Sequence, residues 1–415
     1  MWLDVKELDA RKADIKALAL PLLGVTLLGV LLRLYGISSQ PPLHDEVSAA
    51  FSAVQYMENG QFGPTMWYHP NLRNIVLYAL GEAFGYGPYA MRGFSLLAGI
   101  LSIPVVGLIL YALTGNRAAS VLASFFLSIE QVHITFSRQA IQETWTTFFF
   151  LLGVLLAVLY YKKDTPLLLI FSGIAFGLGI SSKFHAFFPL LVSLGAGLYL
   201  SFKARSASRC VFVLSCLVFI PAAVYILTFL PWFGRGYGLI EWIGMQKTLL
   251  TKMMTHRGNP MDQVIDIRAW QWFLRPMGYA NFTYSGGAPH VTVAFSSPVV
   301  WLLVLPSVAA LTWRLREKSR EGKEGIAFLL MLFLVSYLPL AASPRPIWLL
   351  SSLAVLPFAL MAVALEAARW GRKALAGYIV LALLSSLALY PMSMGKAKSY
   401  AYLDGIVERF KPPHP

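Results

Sequence analysis

The chain has 415 residues, of which 57% are hydrophobic and 13% charged. Soluble proteins carry about 25% charged residues, so this composition excludes a conventional soluble enzyme, a disordered chain and a coiled coil. The 34 Lys and Arg against 20 Asp and Glu leave a net charge of +14, which on so apolar a background signals membrane topology and not a nucleic-acid footprint. Cys210 and Cys216 lie in or beside one apolar run without metal-ligand spacing and read as packing residues. Residues 1–20 are charged on both sides and lack a small-residue cleavage site, so they read as an uncleaved cytoplasmic segment.

A spanning helix needs about 20 mostly apolar residues. In chain order the candidates are 17–36, 94–113, 118–136, 143–161, 167–182, 185–202, 210–230, 298–313, 325–342, 347–366 and 374–392. With the N-terminus cytoplasmic, Lys162, Lys163, Lys203, Arg209, Arg314, Lys323 and Arg372 join the other basic short connections on the inner side, as the positive-inside rule requires. The expected fold is therefore an all-α polytopic membrane protein of about eleven helices, with the C-terminus outside. Two long segments, 37–93 and 231–297, and a tail from 393 fall on the outer side. Within the first, residues 71–84 are amphipathic and are expected to lie in the membrane plane.

Polar residues that stand out gather on the outer side. Asp45 and Glu46 follow the first helix; either they are solvated loop acids, or one is a general base and the other positions it. His69 and Arg73 flank a turn at Pro70. Arg138 and Lys183 lie in short outer turns, against the orientation rule. Such a side chain either snorkels or holds an anion, for which the guanidinium fork is suited. Glu143 begins the next helix after Arg138, where an acid favours the helix dipole. Residues 256–287 mix Trp270, Trp272, Arg268 and Arg275, which fits an interfacial belt or a surface that grips a sugar and a phosphate. Arg345 marks another outer turn. A diphosphate-binding glycine loop, a zinc signature and a Ser-His-Asp pattern are absent.

Several stretches match one family in order. HDE at 44–46, YHP at 68–70, SRQAIQE at 137–143, GIAFGLGISSKF at 173–184 and RAWQWFLRPMGY at 268–279 resemble segments of the protein O-mannosyltransferases. These belong to the C-superfamily of multi-span glycosyltransferases and use dolichyl-phosphate-mannose or a related polyprenyl donor. Phe184 stands where that family has Trp, and no sugar-binding repeat domain interrupts the second outer segment, which gives the chain a prokaryotic look.

The resemblance implies one transmembrane glycosyltransferase domain over 1–392, with an outer-face tail at 393–415. It implies an inverting transfer of a sugar, mannose first, from a polyprenyl-phosphate donor to a Ser or Thr hydroxyl at the outer face of a prokaryotic plasma membrane. Asp45 would be the base and Glu46 its partner, with Arg138, Lys183 and Arg275 on the donor phosphate. His69, Arg73, Glu143, Trp270 and Trp272 would hold sugar or acceptor. No cofactor is firmly implied; a divalent ion has no ligand motif, although Asp45, Glu46 and His69 could share one. The expected partners are the lipid donor, a hydroxyl acceptor and membrane lipid, with a dimer open and no nucleic acid. One alternative is transfer of another polyprenyl-phosphate sugar to a lipid or glycan. A second, of another class, is a transporter of lipid-linked sugars, which would place acids such as Glu130 and Glu366 along a central pathway.

Overall fold

All eleven apolar segments contain helix, and turn chemistry sets many of their ends. The computed structural model describes residues 5–37, 40, 42–60, 69–255, 268–285, 288–317 and 322–395. α1 (Val5–Leu34) leads into two shorter helices, α2 (His44–Asn59) and α3 (Leu72–Phe84). Gly60 ends α2 in the left-handed conformation (φ 65°), where its N–H reaches back to the carbonyls of Gln55 and Tyr56. α4 (Pro88–Thr114) starts at a proline in its first turn, earlier than its apolar pattern indicates, and ends at left-handed Gly115. The Asn116 side chain accepts from Ala119 N–H and so caps α5 (Arg117–Ile129).

Residues 118–136, expected as one span, are α5 followed by α6 (Gln131–Ser137), bent by 59° at Glu130. The Glu130 carboxylate accepts from Val132 N–H, so this acid caps the second piece. α7 (Gln142–Lys163) and α8 (Pro166–Ser182) form a hairpin, and a single 3-10 turn precedes α9 (Phe187–Lys203). α10 (Ala207–Leu214) and α11 (Ile220–Leu227) are joined by a π turn at Ser215–Phe219. α12 (Leu230–Phe233) and α13 (Leu239–Thr255) open the second long segment. α14 (Pro298–Trp301), α15 (Val304–Arg314), α16 (Lys323–Ala341), α17 (Leu356–Ala367) and α18 (Arg372–Leu389) complete the helices.

Among the described residues, seven helices are long and apolar enough to cross a membrane, or eight if α5 and α6 count as one. Three more, Pro166–Ser182, Pro298–Arg314 and Leu356–Ala367, are apolar but shorter. The predicted 347–366 span is shortened because Leu349–Ala354 is 3-10 helix and Pro357 occupies the first turn of α17. α17 is buried almost all round, Glu366 excepted. Its apolar faces meet α5, α15 and α16, as expected of a helix hydrophobic on every side.

The all-α expectation needs one correction. Strands β1 (Gly278–Ser285) and β2 (Ala288–Phe295) pair antiparallel, with Gly278 opposite Phe295. Residues 291–295 alternate, and Val291, Val293 and Phe295 bury against Leu389 and Met392. Period-2 patterning around Gly286–Gly287 was a hairpin signal overlooked beside the aromatic content. Trp67 and Tyr68, residues 256–267 and the tail beyond 395 lie outside the described residues.

Close helix contacts hold the α7–α8–α11 layer. A Cβ on Gly173 would collide with the Cys216 carbonyl, and one on Gly177 would press Val224 and Pro221. Small residues four apart let helices approach closely, the usual device where lipid removes the hydrophobic drive. The hairpin places Gln142 and Glu143 beside Ser182 and Lys183 at one end of the bundle, where α9 begins and α16 finishes. Lys162, Lys163, Lys203, Arg209 and Glu324 mark the other end.

Candidate active site

Two adjacent acids open α2, and their surroundings separate them. Glu46 is buried and accepts Arg92 Nε on Oε1 and Arg92 Nη2 on Oε2, both at 2.7 Å. It also accepts Leu43 N–H and Ala140 N–H, each at 2.8 Å. Arg92 Nη1 donates to the Gln40 carbonyl at 2.9 Å. Both Glu46 oxygens are thus engaged in fixing the start of α2 to α4 and to the α6–α7 turn, the bidentate pairing that suits a buried guanidinium. Asp45 is exposed, one residue before this clamp. With Glu46 spent on Arg92, the trio of Asp45, Glu46 and His69 does not form a metal site. Among the described residues no group of three His, Cys, Asp or Glu could hold an ion.

Asp45 faces a cationic neighbour. Arg73, in the first turn of α3, donates to Gln142 Oε1 at 2.9 Å and lies within the field of both Glu143 and Asp45. Burial lowers the Arg73 pKa, and the two carboxylates oppose that shift. Glu143 pairs with Lys183 at 2.6 Å, both side chains buried. Lys183 ends α8 in extended conformation, so its backbone leaves the helix as its amine turns to the start of α7. His69 is enclosed at Nδ1, which has no hydrogen-bond partner among the described residues. Burial first, then Lys183, Arg73, His185 and Arg345, hold its imidazole well below the ordinary range, so it is neutral at pH 7.

These groups stand at the head of an apolar groove of about 1030 Å³. Phe184, Phe188, Leu194, Leu217, Tyr225 and Met253 line its length, and His185 and Arg345 stand in its wall. The arrangement has the polarity of an amphiphile: cations at the bundle end, hydrocarbon along α9, α11 and α13. Asp45, Arg73, Glu143, Lys183 and His69, picked from sequence, therefore come together. Gln142, His185 and Arg345 join them. Arg345 had been noticed as a basic outer turn, whereas Gln142 and His185 carried no signal apart from adjacency to Glu143 and Lys183.

The remaining expected site residues make other contacts. Arg138 is buried and donates Nη1 to the carbonyls of Arg33 (2.9 Å) and Tyr35 (2.7 Å), closing the end of α1. Its Nε and Nη2 have no hydrogen-bond partner among the described residues. Arg33 lies alongside, donating to Ser128 O at 3.0 Å and meeting His133 Nδ1 at 2.6 Å. Arg275 is exposed and donates to Gln271 Oε1 at 2.7 Å. Trp272 is fully buried, with Tyr337 at 6.5 Å, while Trp270 is 49% exposed. Arg92 escaped the sequence reading; its only sign was a basic residue near the outer start of an apolar helix.

Residues 82–235 match the model of the dolichyl-phosphate-mannose-protein mannosyltransferase family. No curated protein matches the chain by sequence. Among solved structures, the chain is similar to the S. cerevisiae protein O-mannosyltransferase Pmt1-Pmt2 complex bound to the sugar donor. The TM-score is 0.77 at 12% identity, covering 91% of this chain and 90% of that one. ArnT from Cupriavidus metallidurans bound to undecaprenyl phosphate gives 0.57 at 14% identity, over 91% of this chain and 64% of that chain. The Archaeoglobus fulgidus oligosaccharyltransferase in its apo form gives 0.55 at 14%, over 95% and 58%. At these identities the likeness establishes a shared fold.

Proposed function

We propose that this chain, which matches the model of the dolichyl-phosphate-mannose-protein mannosyltransferase family over residues 82–235, is a membrane glycosyltransferase that moves mannose from a polyprenyl-phosphate carrier to a Ser or Thr hydroxyl of a protein. The observation that carries this reading is the junction of the Asp45–Arg73–Glu143–Lys183 cluster with the apolar groove ending at His185 and Arg345. The carrier's hydrocarbon lies in the groove. Its phosphate sits among Lys183, His185 and Arg345, whereas Arg138 donates to the carbonyls that end α1 and Arg275 to Gln271.

Asp45 takes the proton of the acceptor hydroxyl as that oxygen attacks the anomeric carbon. The sugar–phosphate C–O bond breaks on the opposite side, the configuration inverts, and the carrier leaves as an anion. The leaving group needs no proton, so the cations answer the growing charge in a site shielded from water. Arg73, shared between Asp45 and Glu143, keeps the base ionised and aimed. Neutral His69 is a hydrogen-bonding group for sugar or acceptor and adds no further positive charge.

Eleven spans, with the N-terminus inside, fit this chemistry. Lys162, Lys163, Lys203 and Arg209 collect at the bundle end opposite the cluster, which supports a site facing outward. The transporter alternative loses its acids: Glu366 pairs with Arg314 at 2.6 Å and Glu130 caps α6. Purified protein incubated with labelled polyprenyl-phosphate-mannose and Ser/Thr-containing peptides tests the reading. Mannosylated peptide is the expected product. Label recovered only in lipid or glycan would favour the alternative acceptor class, and no transfer to any acceptor would remove the proposal.

A further inference from the structure

The bundle end far from the cluster carries a second two-part cavity. Its polar part, about 920 Å³, lies where α7, α9, α10 and α16 meet. Lys162, Lys163, Lys203 and Arg209 line it against Asp164 and Glu324, an excess of positive charge. Arg209 is paired with Asp164 and Lys162 donates to the Ala112 carbonyl. Lys163 and Lys203 are exposed and reach no carboxylate among the described residues. The apolar part, about 710 Å³, runs up between α9 and α16 along Leu191, Val192, Ala196, Phe328, Met331 and Val335. The two parts share Tyr161, Lys162, Leu200 and Glu324, so they adjoin.

The geometry points to a structural lipid site here: one anionic phospholipid, its phosphate at Lys163 and Lys203 and an acyl chain between α9 and α16. A cationic mouth adjoining a hydrocarbon slot between spanning helices matches the charge and polarity of such a lipid, and basic pockets between helices bind anionic head groups. A zwitterionic lipid fits the slot but gains less from the mouth. Gly195 belongs to the slot wall, and a Cβ there meets no atom within 4 Å, so the groove is open where a methylene chain would pass. This site is separate from the transfer chemistry and needs no sugar donor.

Native mass spectrometry of the delipidated full-length protein tests the inference with phosphatidylglycerol, phosphatidylcholine and glycerol phosphate. One phosphatidylglycerol is expected to bind about tenfold or more tightly than phosphatidylcholine. Glycerol phosphate is expected to bind far more weakly, because it lacks the chain. K163Q/K203Q should abolish the preference and K163R/K203R should keep it. Gly195→Leu should weaken both lipids, with the lipid-free unfolding temperature unchanged in every variant. Equal binding of the two lipids, a preference that survives K163Q/K203Q, or glycerol phosphate binding as well as the lipid would each overturn the proposal.

Discussion

At the scale of single residues, the neighbouring acids Asp45 and Glu46 stand in opposite surroundings, one exposed and one buried. Glu46 has four donors on two oxygens, and removing it leaves Arg92 buried without its charge partner. Breaking such a pair costs about 3–5 kcal/mol, so Glu46→Ala should lower the detergent-solubilised unfolding temperature by several degrees. Asp45→Asn should change that temperature much less, because Asp45 is exposed and the amide keeps the side chain's shape. Unfolding followed by intrinsic fluorescence separates the two. In the sequence the pair was visible as a pair, but nothing in it divided the roles: the partner Arg92 is 46 positions away.

His69 offers a pH test. Its folded pKa is depressed, so between the folded value and about 6.5 the unfolded chain binds a proton that the fold refuses. Stability therefore falls as pH drops below about 6.5 and is unaffected above it. His69→Gln should flatten this acid slope between pH 7.5 and 5.5 relative to wild type. An unchanged slope would mean that His69 protonates freely in the fold. Beyond burial, the charges acting on it are those of Lys183, Arg73, His185 and Arg345, four residues spread over three parts of the chain, which no local motif displays.

At the scale of elements, helix existence was legible and helix integrity was not. Hydropathy alone marks 118–136 as one span, yet the Glu130 cap breaks it, and a carboxylate in an apolar run was the available hint. The hairpin at Gly278–Phe295 was masked by the aromatic and basic residues just before it, Arg268, Trp270, Trp272 and Arg275, which resembled an interfacial belt. The glycine-rich run at 173–179 was read through family likeness, and its physical meaning is the α8–α11 approach. Gly173→Leu should therefore destabilise by about 1–3 kcal/mol, as overpacking does. Gly377→Ala, where a Cβ meets nothing, should be neutral or slightly stabilising. Thermal unfolding of the two variants compares them directly.

At the scale of the whole molecule, charge and apolar periodicity make the topology. The basic connections gather at one end and the Asp45–Lys183 cluster at the other, an arrangement that the orientation rule anticipates without any coordinates. In intact cells carrying the Cys210→Ser protein, Tyr86→Cys should react with a membrane-impermeant maleimide, whereas Arg205→Cys should react only after permeabilisation. The apolar groove beside the cluster was not legible, because its walls come from α9, α11 and α13 and from the turn at Arg345. Apolar residues there look the same as lipid-facing ones until the helices are placed.

Asp45 is proposed as the base at the head of a lipid-phosphate groove. Transfer from labelled polyprenyl-phosphate-mannose by Asp45→Asn, with donor binding followed in the same preparation, tests it most directly. Turnover is predicted to fall about 10²–10⁴-fold with donor affinity retained. Wild-type turnover by Asp45→Asn, or loss of donor binding together with activity, would contradict it.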